Sequence, residues 1–243
     1  ARLINPRPPQ ALIRRQRLHQ KILLGIMLSA LLASFWGGTW KVRAQAEGVN
    51  LTARVGFDGY CKQNQWVPIH VEVENTGPDL DAEVQVSYKK GSDGKSLTSM
   101  NIELPATSRK EFFLYTYFSG DYRRELNVSL LADGQVLKKV NLAVNCLAFE
   151  TVIFGVVADN PSTYDILTDV KPLNGFVRIA QFGMSDLPDR AQAWASLDAL
   201  IVANVDTGTV TPEQKQALKT WIAGGGKLFI VGGVNWQSTV AGL

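Results

Sequence analysis

The hydrophobic pattern of this 243-residue chain changes its period near residue 150. Before that point, short segments alternate apolar and polar side chains, as strands of a half-buried sheet do. After it, continuous apolar runs such as Val152–Ala158 alternate with helical patterns, as in parallel sheets covered on both faces. The sequence therefore predicts an all-β domain over residues 47–148 and an α/β domain over residues 149–243.

Seven alternating segments in the first domain predict short antiparallel strands. The first two lie at residues 51–57 and 67–73, and the dipeptide Asp133-Gly134 predicts a tight hairpin between the last two. Seven strands at this spacing favour an immunoglobulin-like β-sandwich.

Two sets of side chains in this domain have more than one interpretation. Phe113, Tyr115 and Tyr117 share one strand face, which we expect in the core, with an aromatic surface for a sugar or a protein partner as the alternative. His70 alternates with inward valines on its strand. We therefore expect His70 on a solvated face, as a surface residue rather than a catalytic one.

The α/β domain has four predicted strands, one clearly marked helix, a helical stretch at about residues 162–171 and a short helix candidate at residues 189–196. The strands lie at residues 152–158, 176–182, 198–204 and 228–231. Thr211 followed by Pro212 and Gln214 predicts a helix start with a capping box, and the triple glycine at residues 224–226 ends that helix. This alternation predicts a partial doubly wound, flavodoxin-like parallel sheet, which we expect to be truncated because four strands are few for such a fold.

Ligands of open α/β sheets bind at the carboxyl ends of the strands. The weak candidates for a ligand site here are therefore the polar and glycine residues that follow the strands, namely Asp159, Asn160, Asn204, Asp206, Gly232, Gly233 and Asn235. Such residues also dominate ordinary turns, so a purely structural role is the alternative.

The two cysteines, Cys61 and Cys146, predict a disulfide if the chain is exported, because oxidising compartments preserve such bonds. Free buried thiols are the alternative. No metal site is expected, since His70 is the one nearby histidine and the three residues lack ligand spacing.

The N-terminal segment predicts export. Residues 1–46 contain eight basic and no acidic residues, and the uncharged run over residues 22–40 precedes the small-x-small motif at residues 44–46. These features indicate a signal peptide or an uncleaved membrane anchor that sends residue 47 onward across the cytoplasmic membrane. The body would then lie in the cell envelope, as an anchored, periplasmic or extracellular protein.

Nucleic-acid binding is excluded by the distribution of charge. The whole chain has 25 basic and 22 acidic residues, so residues 47–243 have 17 basic and 22 acidic. The high pI therefore belongs to the leader, and the body lacks the basic footprint that such binding needs.

Two stretches carry a resemblance to a known family. LDALIVANVDTGTVTPEQKQALKTWIAGGGKLFIVGG resembles the middle of a class I glutamine-amidotransferase-like domain, and VGFDGYCKQNQWVPIHVEVENTG resembles the sandwich that precedes such domains in bacterial envelope proteins. The resemblance implies the fold but not the activity, because the turn at residues 230–234 has neither the nucleophilic Cys nor a Ser.

The resulting expectation is a non-catalytic envelope protein that binds a protein partner, a glycan or a small ligand without a cofactor. The alternative is a carboxylate- or metal-dependent hydrolase of the same fold, in which Asp159 and Asp206 do acid–base work.

Overall fold

The computed structural model describes residues 48–90, 94–119 and 123–243 of the chain. The predicted leader, residues 1–46, lies outside these residues. Within the described ranges, no helix combines the length and the apolar character needed to cross a membrane.

The first part of the described chain is a β-sandwich. Its strands are, in chain order, β1 (Val49–Val55), β2 (Tyr60–Lys62), β3 (Gln65–Asn75), β4 (Leu80–Lys90), β5 (Gly94–Leu104), β6 (Ser108–Phe118), β7 (Arg123–Ala132) and β8 (Gln135–Leu147). One sheet has the order β1-β3-β6 and the other the order β2-β8-β7-β4-β5. All seven predicted strands are confirmed, and the three-residue β2 is additional because it is too short to show a period.

Side chains from the two facing sheets fill the core of the sandwich. The alternating residues of β3, β4 and β7 supply much of it, and the fully buried members include Val67, Ile69, Val71, Val84, Leu126, Val128 and Leu130. The predicted hairpin between β7 and β8 is confirmed, with Asp133 at φ 51° and Gly134 at φ 72°. Positive φ at both central residues matches the twist of the flanking strands.

The predicted disulfide between Cys61 and Cys146 is confirmed. The two residues are direct partners in the parallel pairing of β2 with β8, and both are buried. The bond links residues 85 apart in sequence. In the chain-entropy model, closing a loop of that length stabilises the folded state by roughly 4–5 kcal/mol.

The second part of the chain is the α/β segment, which contains a four-stranded parallel sheet. Its strands are β9 (Val152–Ala158), β10 (Val177–Gln181), β11 (Ala199–Ala203) and β12 (Lys227–Val231), in the spatial order β10-β9-β11-β12. Each predicted strand is confirmed to within two residues at either end. The two central strands, β9 and β11, are the most buried, as their continuous apolar runs predicted.

The helices of this segment are mostly shorter and tighter than the sequence indicated. Helix α1 (Pro212–Ala223) has the predicted capping box: Thr211 Oγ1 accepts from the Gln214 backbone N at 3.2 Å, and Gln214 Oε1 accepts from the Thr211 backbone N at 3.0 Å. The stretch predicted after β9 is instead a first 3₁₀ helix (Pro161–Asp169), which has no buried residue to stabilise an α-helix by packing.

The other helices are a second 3₁₀ helix (Met184–Asp186), a third 3₁₀ helix (Ala191–Ser196) and a short helix α2 (Trp236–Ala241). Of these, the third 3₁₀ helix corresponds to a predicted helix, and Trp194 of this helix is fully buried.

Strand β12 departs from the prediction of a buried strand. Phe229 is 53% exposed, and Ile230 and Val231 are also exposed. The reason is position: β12 pairs with β11 on one side only and is an edge strand of the described sheet. Apolar composition alone does not distinguish a central strand from an edge strand.

The sandwich and the α/β segment belong to one compact unit, residues 48–243. Phe57, which follows β1, is fully buried in the α/β core, and its ring centroid lies 6.1 Å from that of Trp194. We use the term seam for the contacts between the sandwich and the α/β segment. On the sandwich side they involve the outer face of the β1-β3-β6 sheet and strand β2, and on the other side the second and third 3₁₀ helices, Asp198 and the start of α1.

Candidate functional site

Four of the seven predicted site residues come together at the carboxyl edge of the parallel sheet. Asn204 Nδ2 donates to Asp159 Oδ2 at 2.5 Å, and the Asn235 backbone N donates to Asn204 Oδ1 at 2.9 Å. A Cβ on Gly233 would lie 2.8 Å from that same Asn204 oxygen, so a larger residue here would displace the Asn204 side chain. These contacts join the loops that follow β9, β11 and β12.

The other three predicted residues make no hydrogen bond between these loops. The Asn160 backbone N donates to Asp159 Oδ1 at 2.8 Å, and Asp206 Oδ1 accepts from the Gly208 backbone N at 2.8 Å. Gly232 directly follows Val231, the last residue of β12. The polar groups at this edge therefore mainly satisfy one another, in the manner of a brace between loops.

The seam, in contrast, concentrates ionisable side chains. Lys62 Nζ lies 2.8 Å from Asp198 Oδ1, and the Lys62 backbone N donates to Ser196 Oγ at 3.0 Å. Both bonds link the sandwich to the α/β segment. The Lys62 side chain is only 6% exposed, so its charge is largely removed from water and depends on this partner.

His70 lies within the seam rather than on a solvated face, which corrects the expectation from the sequence. It is 6% exposed, and its Nδ1 lies 2.9 Å from Asp186 Oδ1 and 2.7 Å from Arg54 Nη2. The Nδ1–H tautomer donates to Asp186, whereas the Nε2–H tautomer accepts from Arg54. In either form Nδ1 has a hydrogen-bond partner, which is Asp186 of the α/β segment or Arg54 of the sandwich. The other ring nitrogen, Nε2, lies 3.7 Å from Glu111 Oε2.

Asp186 Oδ1 also accepts a hydrogen bond from Arg54 Nε at 2.7 Å. Burial on its own would raise the pKa of this carboxyl. The hydrogen bonds from His70 and Arg54, with the positive charge of Arg54, outweigh burial and lower the pKa of Asp186 below its ordinary value. Asp186 therefore stays ionised and holds the second 3₁₀ helix against β1 and β3.

Tyr115 forms a second link across the seam. Its hydroxyl donates to Asp189 Oδ1 and accepts from the Asp189 backbone N at 3.2 Å. Burial, together with the hydrogen bond to Asp189 and its charge, raises the pKa of Tyr115. The guanidinium of Arg190 lies over the Tyr115 ring, 5.2 Å from its centroid.

Aromatic rings continue along the outer face of this sheet. Phe113, Tyr115 and Tyr117 follow one another on β6, and Trp66 and His70 lie beside them on β3 as the direct partners of Tyr117 and Phe113. The ring centroids lie 4.9–6.1 Å apart in three pairs: His70 with Phe113, Trp66 with Tyr117, and Phe113 with Tyr115. These rings, which we call the aromatic row, lie outside the sandwich core, so the expectation of core positions for the three β6 rings was wrong.

Two hollows open along the seam. The larger, about 570 Å³, is lined by residues that include His70, Glu111, Phe113, Asp189 and Glu213. The smaller, about 140 Å³, is lined by Trp66, Tyr115, Arg190, Gln192 and Ala193, and we call it the Trp66 pocket.

Sequence reasoning missed Trp66, Arg190 and Gln192. A signal was present in β6, where Phe112, Leu114 and Phe118 on one face are matched by three aromatic residues on the other. A strand with two apolar faces indicates a sheet that is covered on both sides. The 3₁₀ helices that provide the cover carry no comparable signal of their own.

Among the described residues, no group of three or more His, Cys, Asp or Glu side chains is placed to hold a metal ion. The carboxylates at the sheet edge bond to an amide side chain or to backbone N–H groups, as given above.

The protein-family comparison matches the sandwich. A family model described as a domain of unknown function, DUF8726, matches residues 48–145. No curated protein matches the chain.

Among solved structures, the CARDB domain of a Pyrococcus furiosus protein, in complex with di-metal ions, aligns with 42% of this chain and 90% of its own, at 14% identity and a TM-score of 0.34. A β-glucosidase from Listeria innocua, in complex with glucose, aligns over 42% of this chain and 16% of its own, at 11% identity and a TM-score of 0.33. Similarities this distant carry no implication for what this chain binds.

Proposed function

We propose that this chain is an exported, non-catalytic binding protein of the bacterial cell envelope that binds its ligand at the seam. Its sandwich would be immunoglobulin-like, and its α/β segment would have the glutamine-amidotransferase-like fold. The spatial order β10-β9-β11-β12 supports the latter proposal. In sequence terms it is the order 2-1-3-4, with which flavodoxin-like sheets begin.

Export is supported by two independent features. The leader carries eight basic residues, mostly before its apolar run, and Lys41 and Arg43 beyond the run weaken this bias without reversing it. The Cys61–Cys146 disulfide is a bond that reducing cytosol disfavours. Whether residues 1–46 are cleaved as a signal peptide or kept as an anchor through residues 22–40 is part of the same proposal.

The observation that carries a binding role is that the ionisable side chains suited to catalysis bond within the protein, whereas side chains suited to binding are open to solvent. Groups capable of acid–base work, such as His70 and Tyr115, are bonded to Asp186 and Asp189 across the seam. Trp66, Arg190 and Gln192, which line the Trp66 pocket, are instead open to solvent. Tryptophan, tyrosine and arginine are the residue types that dominate binding energy in protein recognition.

A hydrolase using Asp159 and Asp206 is the alternative. Paired carboxylates do general acid–base work when both reach one substrate. Asp159 bonds to Asn204 and Asp206 to its own loop, which favours a structural role for both. The turn after β12, where amidotransferases carry their nucleophile, has Gly232 and Gly233 in this chain.

Fractionation and turnover together test the proposed function. The full chain with a C-terminal tag, expressed in a bacterial host, should leave the cytosolic fraction, and the purified chain should not turn over glutamine or simple esters. A cytosolic chain would overturn export. Turnover abolished by Asp206→Asn but kept in Arg190→Gln would overturn the non-catalytic role in favour of the hydrolase.

A further inference from the structure

We propose that the Trp66 pocket binds a sugar ring that carries a carboxylate, such as a uronic acid at the end of an envelope glycan. This inference rests on the proposed binding function and assigns it a ligand class and a place. The argument starts from how the structure fixes the pocket walls.

One wall of the pocket is held in place by bonds made elsewhere. The Tyr115 hydroxyl donates to the Asp189 carboxylate and accepts from the Asp189 backbone N, which fixes the ring from its polar end. The guanidinium of Arg190 lies over that ring, with its central carbon 5.2 Å from the ring centroid. A cation attracted to a ring face uses its charge and none of its N–H donors, so the donors of Arg190 can bond a ligand.

Arg190 is the one charged residue among those that line the pocket. No acidic side chain lines it, since Asp189 lines the larger seam hollow instead. Within the described residues, no carboxylate lies at ion-pair distance from Arg190. A guanidinium fork pairs with a carboxylate through two parallel hydrogen bonds, so a carboxylate is the complementary ligand group.

The other walls suit a sugar ring. Trp66 is 44% exposed and is held edge-on to Tyr117, with ring centroids 5.7 Å apart. The negative face of an aromatic ring attracts the weakly positive C–H groups on the flat side of a sugar. The exposed Gln192 amide offers both a donor and an acceptor to hydroxyl groups.

The dimensions favour one ring over a protein surface. A volume of about 140 Å³ is below the 300–1,000 Å³ usual for drug-sized ligands. Stable protein interfaces bury about 800 Å² on each partner. In the aromatic row, the strongly exposed rings are those of Trp66 and Tyr117, which form a small patch.

Calorimetric titration of the full chain in detergent tests the proposal with matched probes. Methyl β-D-glucuronide should bind, and methyl β-D-glucoside, which lacks the carboxylate, should bind at least about tenfold more weakly because a charge-assisted pair is lost. Arg190→Gln should abolish this preference, whereas Arg178→Gln on β10, also exposed, should leave it unchanged. Trp66→Ala should weaken both sugars, and Trp236→Ala, also exposed, neither.

Each opposite result has a defined meaning. Equal affinity for the two sugars, an unchanged preference in Arg190→Gln, or no binding of either sugar would overturn the proposal. Tighter binding of acetyl-Gly-Gly than of the glucuronide would also overturn it, in favour of a peptide carboxylate. None of these outcomes changes export or turnover, so failure here is distinct from failure of the proposed function.

Discussion

At the residue scale, His70 and its neighbours show how a side chain can be misassigned from alternation alone. The alternation of β3 correctly separates His70 from the valines of the sandwich core. It does not reveal that the outer face is covered, because that cover comes from residues more than 100 positions later, such as Asp186. Local pattern gives the face of a strand, whereas burial depends on the tertiary partner.

Asp186 makes a pH-dependent contribution to stability. Its pKa is lowered in the folded state from an ordinary value of 3.8, so the folded state favours the ionised form. The contribution is therefore fully present above the ordinary pKa and is lost as pH falls through the folded pKa. Acid should weaken the seam for this reason.

We predict that Asp186→Asn lowers the free energy of unfolding at pH 7 by about 1–3 kcal/mol, because it removes a charged acceptor from His70 and Arg54. The difference from the unchanged chain should shrink as pH falls below 3.8. Urea unfolding at several pH values measures both effects. Asp169→Asn, an exposed change in the first 3₁₀ helix, is the control, and equal losses in the two variants would contradict the role of Asp186.

At the element scale, the sequence predicted the elements whose signals are local and missed the features that depend on pairing partners. The capping box at Thr211 and the hairpin at Asp133-Gly134 were predicted because their signals lie within a few residues. The three-residue β2 and the exposure of β12 were not, because pairing partners decide both.

The predicted residues at the carboxyl edge of the sheet act at this scale, as a brace between loops. Asn204 has a φ of 53°, a left-handed conformation that asparagine tolerates better than most residues. Its side chain bonds to both neighbouring loops. The sequence located this group of residues, but it did not show that their polar atoms bond to one another.

Gly233→Ala and Gly232→Ala form a matched test of this brace. A Cβ on Gly233 would lie 2.8 Å from Asn204 Oδ1, whereas the nearest atom to a Cβ on Gly232 is 4.0 Å away. We predict that Gly233→Ala costs about 1–2 kcal/mol by displacing Asn204 from its bonds, and that Gly232→Ala changes stability by less than about 0.5 kcal/mol. Denaturant unfolding measures both, and equal effects would contradict the brace.

At the scale of the whole molecule, the seam joins two kinds of sheet into one unit. Lys62 with Asp198, Tyr115 with Asp189 and His70 with Asp186 each link the sandwich to the α/β segment. Phe57 adds an apolar link by packing in the α/β core. The sequence predicted the two parts separately, because contacts between distant segments have no local signal. The two apolar faces of β6 indicated a covered sheet, but they did not indicate which residues cover it.

We predict that residues 48–243 unfold in one cooperative transition. In the Trp66→Phe chain, which lacks the tryptophan of the sandwich, the buried Trp194 and Trp221 report on the α/β core by fluorescence. Far-ultraviolet circular dichroism reports mainly on the sandwich strands. The two urea transitions should coincide because the parts share the seam. Two separated midpoints would show that the parts unfold independently.

The disulfide lies near the seam and ties its stability to the compartment in which the protein folds. Cys61 lies in β2 beside Lys62, which makes two of the seam bonds. Replacing both cysteines by alanine should lower the free energy of unfolding by roughly 4–5 kcal/mol in the chain-entropy model. Unchanged denaturant midpoints in the double variant would contradict this contribution.

Export of a body whose cysteines are paired underlies everything proposed for the seam, and the state of the thiols in living cells tests it most directly. Cells producing the full chain are quenched with acid, and the denatured protein is labelled with a maleimide polymer before and after reduction. We predict no labelling before reduction and labelling of both Cys61 and Cys146 after it, with one reactive thiol in the Cys61→Ser control. Full labelling of the unchanged chain before reduction would contradict export.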